Sequence, residues 1–140
     1  MASYNKINQF VDDICDGVHN LGTGALTIAL TAAANAPVAT NSVLADLTEV
    51  SYTNLSTRVI TTISAEQTSG AVKLLLTDLA LAASGGAAAT FRYVVIYNDT
   101  PTSPADPLIG WLDYGSDLTL GDGETLNIDF DATNGLLGIS

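Results

Sequence analysis

The chain has 140 residues and carries 4 Lys plus Arg against 15 Asp plus Glu, a formal net charge of -11. Hydrophobic residues make up 47%, too many for a disordered chain, and four scattered cations cannot neutralise a phosphate track, which argues against a nucleic-acid partner. With 14% of residues charged, the acidity reflects missing bases rather than a dense acidic coat, and the length fits one domain, residues 1–140.

The opening MASYNKINQF lacks the apolar centre of a secretory signal. Residues 4–18 are expected to form an amphipathic helix. Tyr4, Ile7, Phe10, Val11, Ile14, Cys15 and Val18 recur at three- and four-residue steps as one apolar stripe, with Asn5, Asp12, Asp13 and Asp16 off it. Ser3 is the expected N-cap, and Gly17 with Gly22 the stop. Residues 17–45 hold no charge, but Asn20, Thr23, Thr27, Thr31, Asn35, Pro37 and Asn41 interrupt them, so no membrane span is expected.

Residues 25–140 read as strands. The stretch 25–31 (ALTIALT) is the first, 32–42 a loop and 43–50 a place for one helical turn. Residues 58–65 are β-branched. Val72, Leu74 and Leu76 alternate, then Leu79 and Leu81 do so in the opposite phase, so a bulge or tight bend falls at Thr77 and Asp78. Residues 91–97 (FRYVVIY) are apolar on both faces and read as a central strand, buried on both sides or covered by a partner chain. Three prolines make 99–107 an exposed loop. Strands follow at 108–114, 118–120, 125–131 and 136–139. About eight short strands with regular turn signals predict a mainly β fold, an antiparallel β-sandwich or jelly roll behind one N-terminal helix.

Chemical constellations are few. One cysteine forms no intrachain disulfide, and Cys15 with His19 cannot close a four-ligand zinc site. A Cys15–His19 dyad is conceivable on a continuing helix, but Cys15 reads as core and His19 as a helix-end cation. Asp99, Asp106, Asp113, Asp117, Asp122, Glu124, Asp129 and Asp131 fill the C-terminal third without one base, which predicts an acidic face or end. Asp129, Asp131 and Asn134 partly resemble a calcium loop, with a solvated strand face as the plainer reading. Tyr93, Tyr97, Trp111 and Tyr114 could make a sugar platform or pack with polar tips at a rim. No phosphate loop or serine elbow occurs. The expectation is no catalytic residue, no cofactor and no metal.

The run 91–99 (FRYVVIYND) followed by 106–116 (DPLIGWLDYGS) resembles a group of small tailed-phage and prophage proteins. Further marks are 17–22 (GVHNLG), 41–46 (NSVLAD), 122–126 (DGETL) and 129–131 (DFD), so the resemblance spans nearly the whole chain. It implies a non-enzymatic virion protein, a capsid decoration or cement protein bound to the major capsid protein on the capsid exterior. The particle would be assembled in the bacterial cytoplasm, with this chain as a homotrimer. Alternatives are a tail, baseplate or fibre component, or a calcium- or sugar-binding β-module. Expected partner contacts are Tyr4, Phe10 and Ile14 on the helix, Pro101 and Pro104 in the loop, and Trp111.

Overall fold

A computed structural model describes residues 2–140. It contains ten strands, one α-helix and two 3-10 turns: β1 Ser3–Lys6, α1 Asn8–Cys15, β2 Leu26–Thr31, 3-10 turns at Ala33–Asn35 and Leu44–Asp46, then β3 Thr62–Ser64, β4 Gln67–Thr68, β5 Ala71–Leu76, β6 Leu79–Ala82, β7 Phe91–Asn98, β8 Leu108–Leu118, β9 Thr125–Ile128 and β10 Leu137–Ile139. The fold is mainly β, and every strand pair is antiparallel.

The largest sheet runs β1-β8-β7-β2. β7 is one of its two inner strands, and Val94, Val95 and Ile96 are fully buried by the chain's own residues. Ile28 lies opposite Ile96, and Val95 opposite Trp111. A second sheet runs β10-β5-β3, with β4 beside β5, and a third is the β6-β9 pair. One core joins all three sheets: Ile28, Leu30 and Ile96 from the first, Leu74 and Leu76 from the second, Leu81 and Ile128 from the third.

The phase change between β5 and β6 is a corner that moves the chain from the second sheet to the third. Asp78 holds that corner, because the Phe130 amide donates to its Oδ1 at 3.0 Å. Residues 58–61 form no regular strand. They bond to both neighbours: the Ile60 amide donates to the Leu26 carbonyl (2.8 Å) and the Thr77 amide to the Thr61 carbonyl (2.9 Å). This segment therefore couples the first sheet to the second.

Three expected boundaries move. The helix predicted over 4–18 divides, because residues 3–6 pair with β8, Tyr4 opposite Leu112. One extra helical turn is marginal in water, whereas a ladder on a buried strand satisfies each backbone group there. Ser3 is therefore not an N-cap. Ile7 holds that position without a side-chain cap, and the Asn8 amide donates to the Ala39 carbonyl at 2.9 Å. Next, the two strands expected at 108–114 and 118–120 are one, β8, reaching Leu118. Finally, β9 stops at Ile128, though Phe130 beyond it stays buried.

Candidate functional site

Helix α1 has eight residues and lies between two depressions of the surface. Gln9, Asp13 and Asp16 follow one side of the helix at steps of four and three. They border a cleft of about 520 Å³, closed on its far side by Ser42, Ser103 and Pro104. On the other side, Val11, Ile14 and Cys15 border an apolar groove of about 310 Å³, with Tyr4, Leu137 and Ile139 completing it.

The helix is turned relative to its expected stripe. Phe10 and Asp13 are both 4% exposed, while Val11 is 48% exposed and Cys15 is exposed. Phe10 is thus mostly core and reaches the apolar groove only at its floor. Its ring meets His19 edge-on, with centroids 5.2 Å apart. Cys15 is corrected from core to surface, and Asp13 from surface to interior. Ile14 is half-buried at the groove, available to a neighbour over part of its surface.

Tyr4 sits on β1 rather than on the helix. Its ring crosses Gly110: a Cβ there would lie 2.5 Å from the Tyr4 hydroxyl and 2.7 Å from the Asn5 carbonyl oxygen. Burial pushes the Tyr4 phenol up to about 12. Its side chain is half-buried, which leaves it only a rim position at the groove.

Cys15 ends the helix, so the four-residue step to His19 spans no continuing turn. His19 turns to the buried Asn98 instead: Asn98 Nδ2 lies 3.2 Å from His19 Nδ1. The Thr100 amide donates to Asn98 Oδ1 at 3.1 Å, which makes Nδ2 the donor and Nδ1 the acceptor. The remaining ring proton then belongs to Nε2. Burial lowers the His19 pKa, opposed by the negative charge of Asp13.

The C-terminal acids are turn-builders. Asp131 has φ 54°, and its Oδ1 accepts from the amides of Thr133 (3.2 Å) and Asn134 (2.9 Å). Its Oδ2 accepts from Asn134 Nδ2 (2.9 Å), and Asp129 Oδ1 accepts from the Asp131 amide (2.7 Å). The Asn134 bonds hold the Asp131 carboxyl below its ordinary range. Among the described residues no three His, Cys, Asp or Glu side chains converge as a metal site.

The acids do not share one end. Asp99 and Asp106 lie in the loop before β8 and Asp117 near its far end, where the ladder sets Leu108 opposite Tyr97 and Leu118 opposite Phe91, about 20 Å apart along β7. The expected acidic end is therefore two separate acidic regions. At the loop, burial raises the Asp106 pKa, and the adjacent Asp99 raises it further. Midway along β8, Asp113 pairs with Arg92 at 2.9 Å.

The aromatic residues do not form a platform. Tyr93 and Tyr97 are buried in β7. Trp111 and Tyr114 are half-buried, and both pack against the hydrophobic core. Pro101 is half-buried, and Pro104 is exposed at the cleft rim. No helix among the described residues is long and apolar enough to cross a membrane.

Comparison with protein-family models, with curated proteins and with solved structures yields no match for this chain. The paired depressions beside α1 are what sequence reasoning missed. The signal was partly present in the Gln9, Asp13 and Asp16 spacing, but the inward turn of Asp13 depends on where β1 ends.

Proposed function

We propose that the chain is a non-enzymatic structural protein of a tailed-phage virion, a capsid decoration or cement protein. It would bind the outside of the major capsid protein lattice as a homotrimer. The reading rests on the sequence resemblance and on one surface observation. Exposed apolar side chains, Val11 (48%) and Ile139 (46%), flank the groove beside α1, while Phe10, Phe91, Phe130, Tyr93 and Tyr97 are spent inside. A β-scaffold that offers a helix edge for contact suits a protein whose task is adhesion.

The mechanism is multivalent bridging. Each copy contributes modest contacts, and a trimer seated across neighbouring capsomers converts them into avidity. Apolar area removed from water contributes about 25 cal/mol per Å², before the costs of association. The net negative charge keeps such a protein away from packaged DNA and favours the outer face.

The test compares particles with and without the protein. Purified chain added to particles lacking it should bind in hundreds of copies and raise their resistance to heat. Unchanged heat resistance overturns the cement role, and a stoichiometry of a few copies moves the protein to the tail.

A further inference from the structure

The cleft beside α1 contains an unanswered charge. Asp13 is 4% exposed and lines the cleft with Gln9, Asp16, Ser42 and Ser103. Gln9 Nε2 donates to Asp13 Oδ1 at 3.2 Å, but Asp13 Oδ2 is buried and accepts no hydrogen bond among the described residues. A carboxylate oxygen in that position has lost its water and gained no donor. Folded proteins place a cation or several donors against such a group.

This chain's own bases are placed elsewhere. Arg92 is paired with Asp113, and Arg58 donates to the Ile28 carbonyl and stacks on the Tyr52 ring. Lys6 borders the apolar groove, and Lys73 lies on β5, where its charge acts on Asp131. His19 is the remaining titratable neighbour, where Asp13 only opposes the burial that lowers its pKa, and its Nε2 is buried without a partner, as is Asp13 Oδ2. Among the described residues no lysine or arginine reaches Asp13 Oδ2.

We propose that the cleft receives a lysine or arginine side chain of a partner protein. The incoming cation meets Asp13 where it borders the cleft and draws Oδ2 out of its covered position, with the Asp16 carboxylate and the Ser42 and Ser103 hydroxyls as further acceptors. An ammonium or guanidinium is satisfied by a few acceptors at hydrogen-bond distance. A hard divalent ion takes about six to eight oxygens, and no converging group of three His, Cys, Asp or Glu side chains is present among the described residues. Identifying the partner as the capsid shell rests on the decoration reading; the chemistry of the cleft does not.

The probe is Nα-acetyl-lysine methylamide, titrated into the isotope-labelled protein and followed by amide NMR, with the norleucine analogue as the uncharged control. Saturable shifts at Gln9, Asp13, Asp16 and Ser42 are expected with lysine alone. Asp13→Asn keeps an acceptor for Gln9 but removes the charge. It should weaken lysine binding about tenfold, the loss of one charge-assisted contact, while raising the melting temperature of the free protein. Asp16→Asn, at an exposed position, should weaken binding without that gain in stability.

No saturable response to lysine, an equal response to norleucine, or tighter saturation of the same amides by calcium chloride overturns the proposal. So does wild-type affinity in Asp13→Asn. On particles lacking the protein, equal binding by wild type and Asp13→Asn removes the cleft from the interface and leaves the decoration role standing. Lysine binding to the cleft by a wild type that ignores those particles supports the cleft and ends the decoration reading.

Discussion

Three side chains set testable properties at the scale of single residues. Burial brings the folded pKa of His19 below the ordinary 6.5 against the opposing charge of Asp13, and the Asn98 amide donates to its Nδ1. The unfolded chain then binds the proton more readily. Stability from this residue is present above about 6.5 and is lost as the pH falls toward the folded value. The melting temperature should decline across that window, and His19→Gln should flatten the decline. Asp106 has the opposite sign among carboxyls, because burial and Asp99 raise its pKa. Its charged form weakens the fold at neutral pH, so Asp106→Asn should melt higher at pH 7. Asparagine also tolerates the φ of 50° at that position. Gly110 is required for space: a Cβ would meet the Tyr4 ring at 2.6 Å and the Asn5 carbonyl oxygen at 2.7 Å. Gly110→Ala should cost about 1–3 kcal/mol, measured by urea titration, as overpacked sites do.

Among the elements, β7 has the most buried residues, whereas β3 has none. Ile96→Ala removes a fully buried side chain from this inner strand and should cost about 2–5 kcal/mol. Ile63→Ala, at a residue 56% exposed, should change stability by no more than about 0.5 kcal/mol. Chemical denaturation of the two variants checks the contrast. The same elements explain what a reader of the sequence can and cannot see. The largely apolar run of β7, the β2 pattern and the reversed phase at Asp78 are local signals, and each maps onto the fold. The division of the first segment into β1 and α1 is not local. Tyr4 and Ile7 fit a helical stripe, yet the ladder that claims residues 3–6 comes from residues 110–113. Moving the helix start then turns Phe10 and Asp13 inward and Val11 and Cys15 outward, which is why the cleft and the groove were not legible. The acids of the last third were visible as a run, but their separation along β8 depends on strand length, which merges across Gly115.

For the molecule as a whole, the largest sheet is assembled from distant parts of the chain. Both of its outer strands, β1 and β2, come from the first 31 residues, and both of its inner strands come from residues 91–118. Chain leaving a ribosome therefore presents two outer strands long before their hydrogen-bond partners exist, and must wait with them unpaired. Loop closure over such distances is slow, so refolding is expected in milliseconds to seconds rather than microseconds. Nascent chains stalled before β7 emerges should be digested readily by protease, and resistance should rise together across β1, β2, β7 and β8 once residue 118 has cleared the exit tunnel. Gradual protection from the N-terminus onward would contradict this. The order of synthesis thus leaves the apolar face of β2 exposed for most of translation, the interval in which this chain is most open to aggregation.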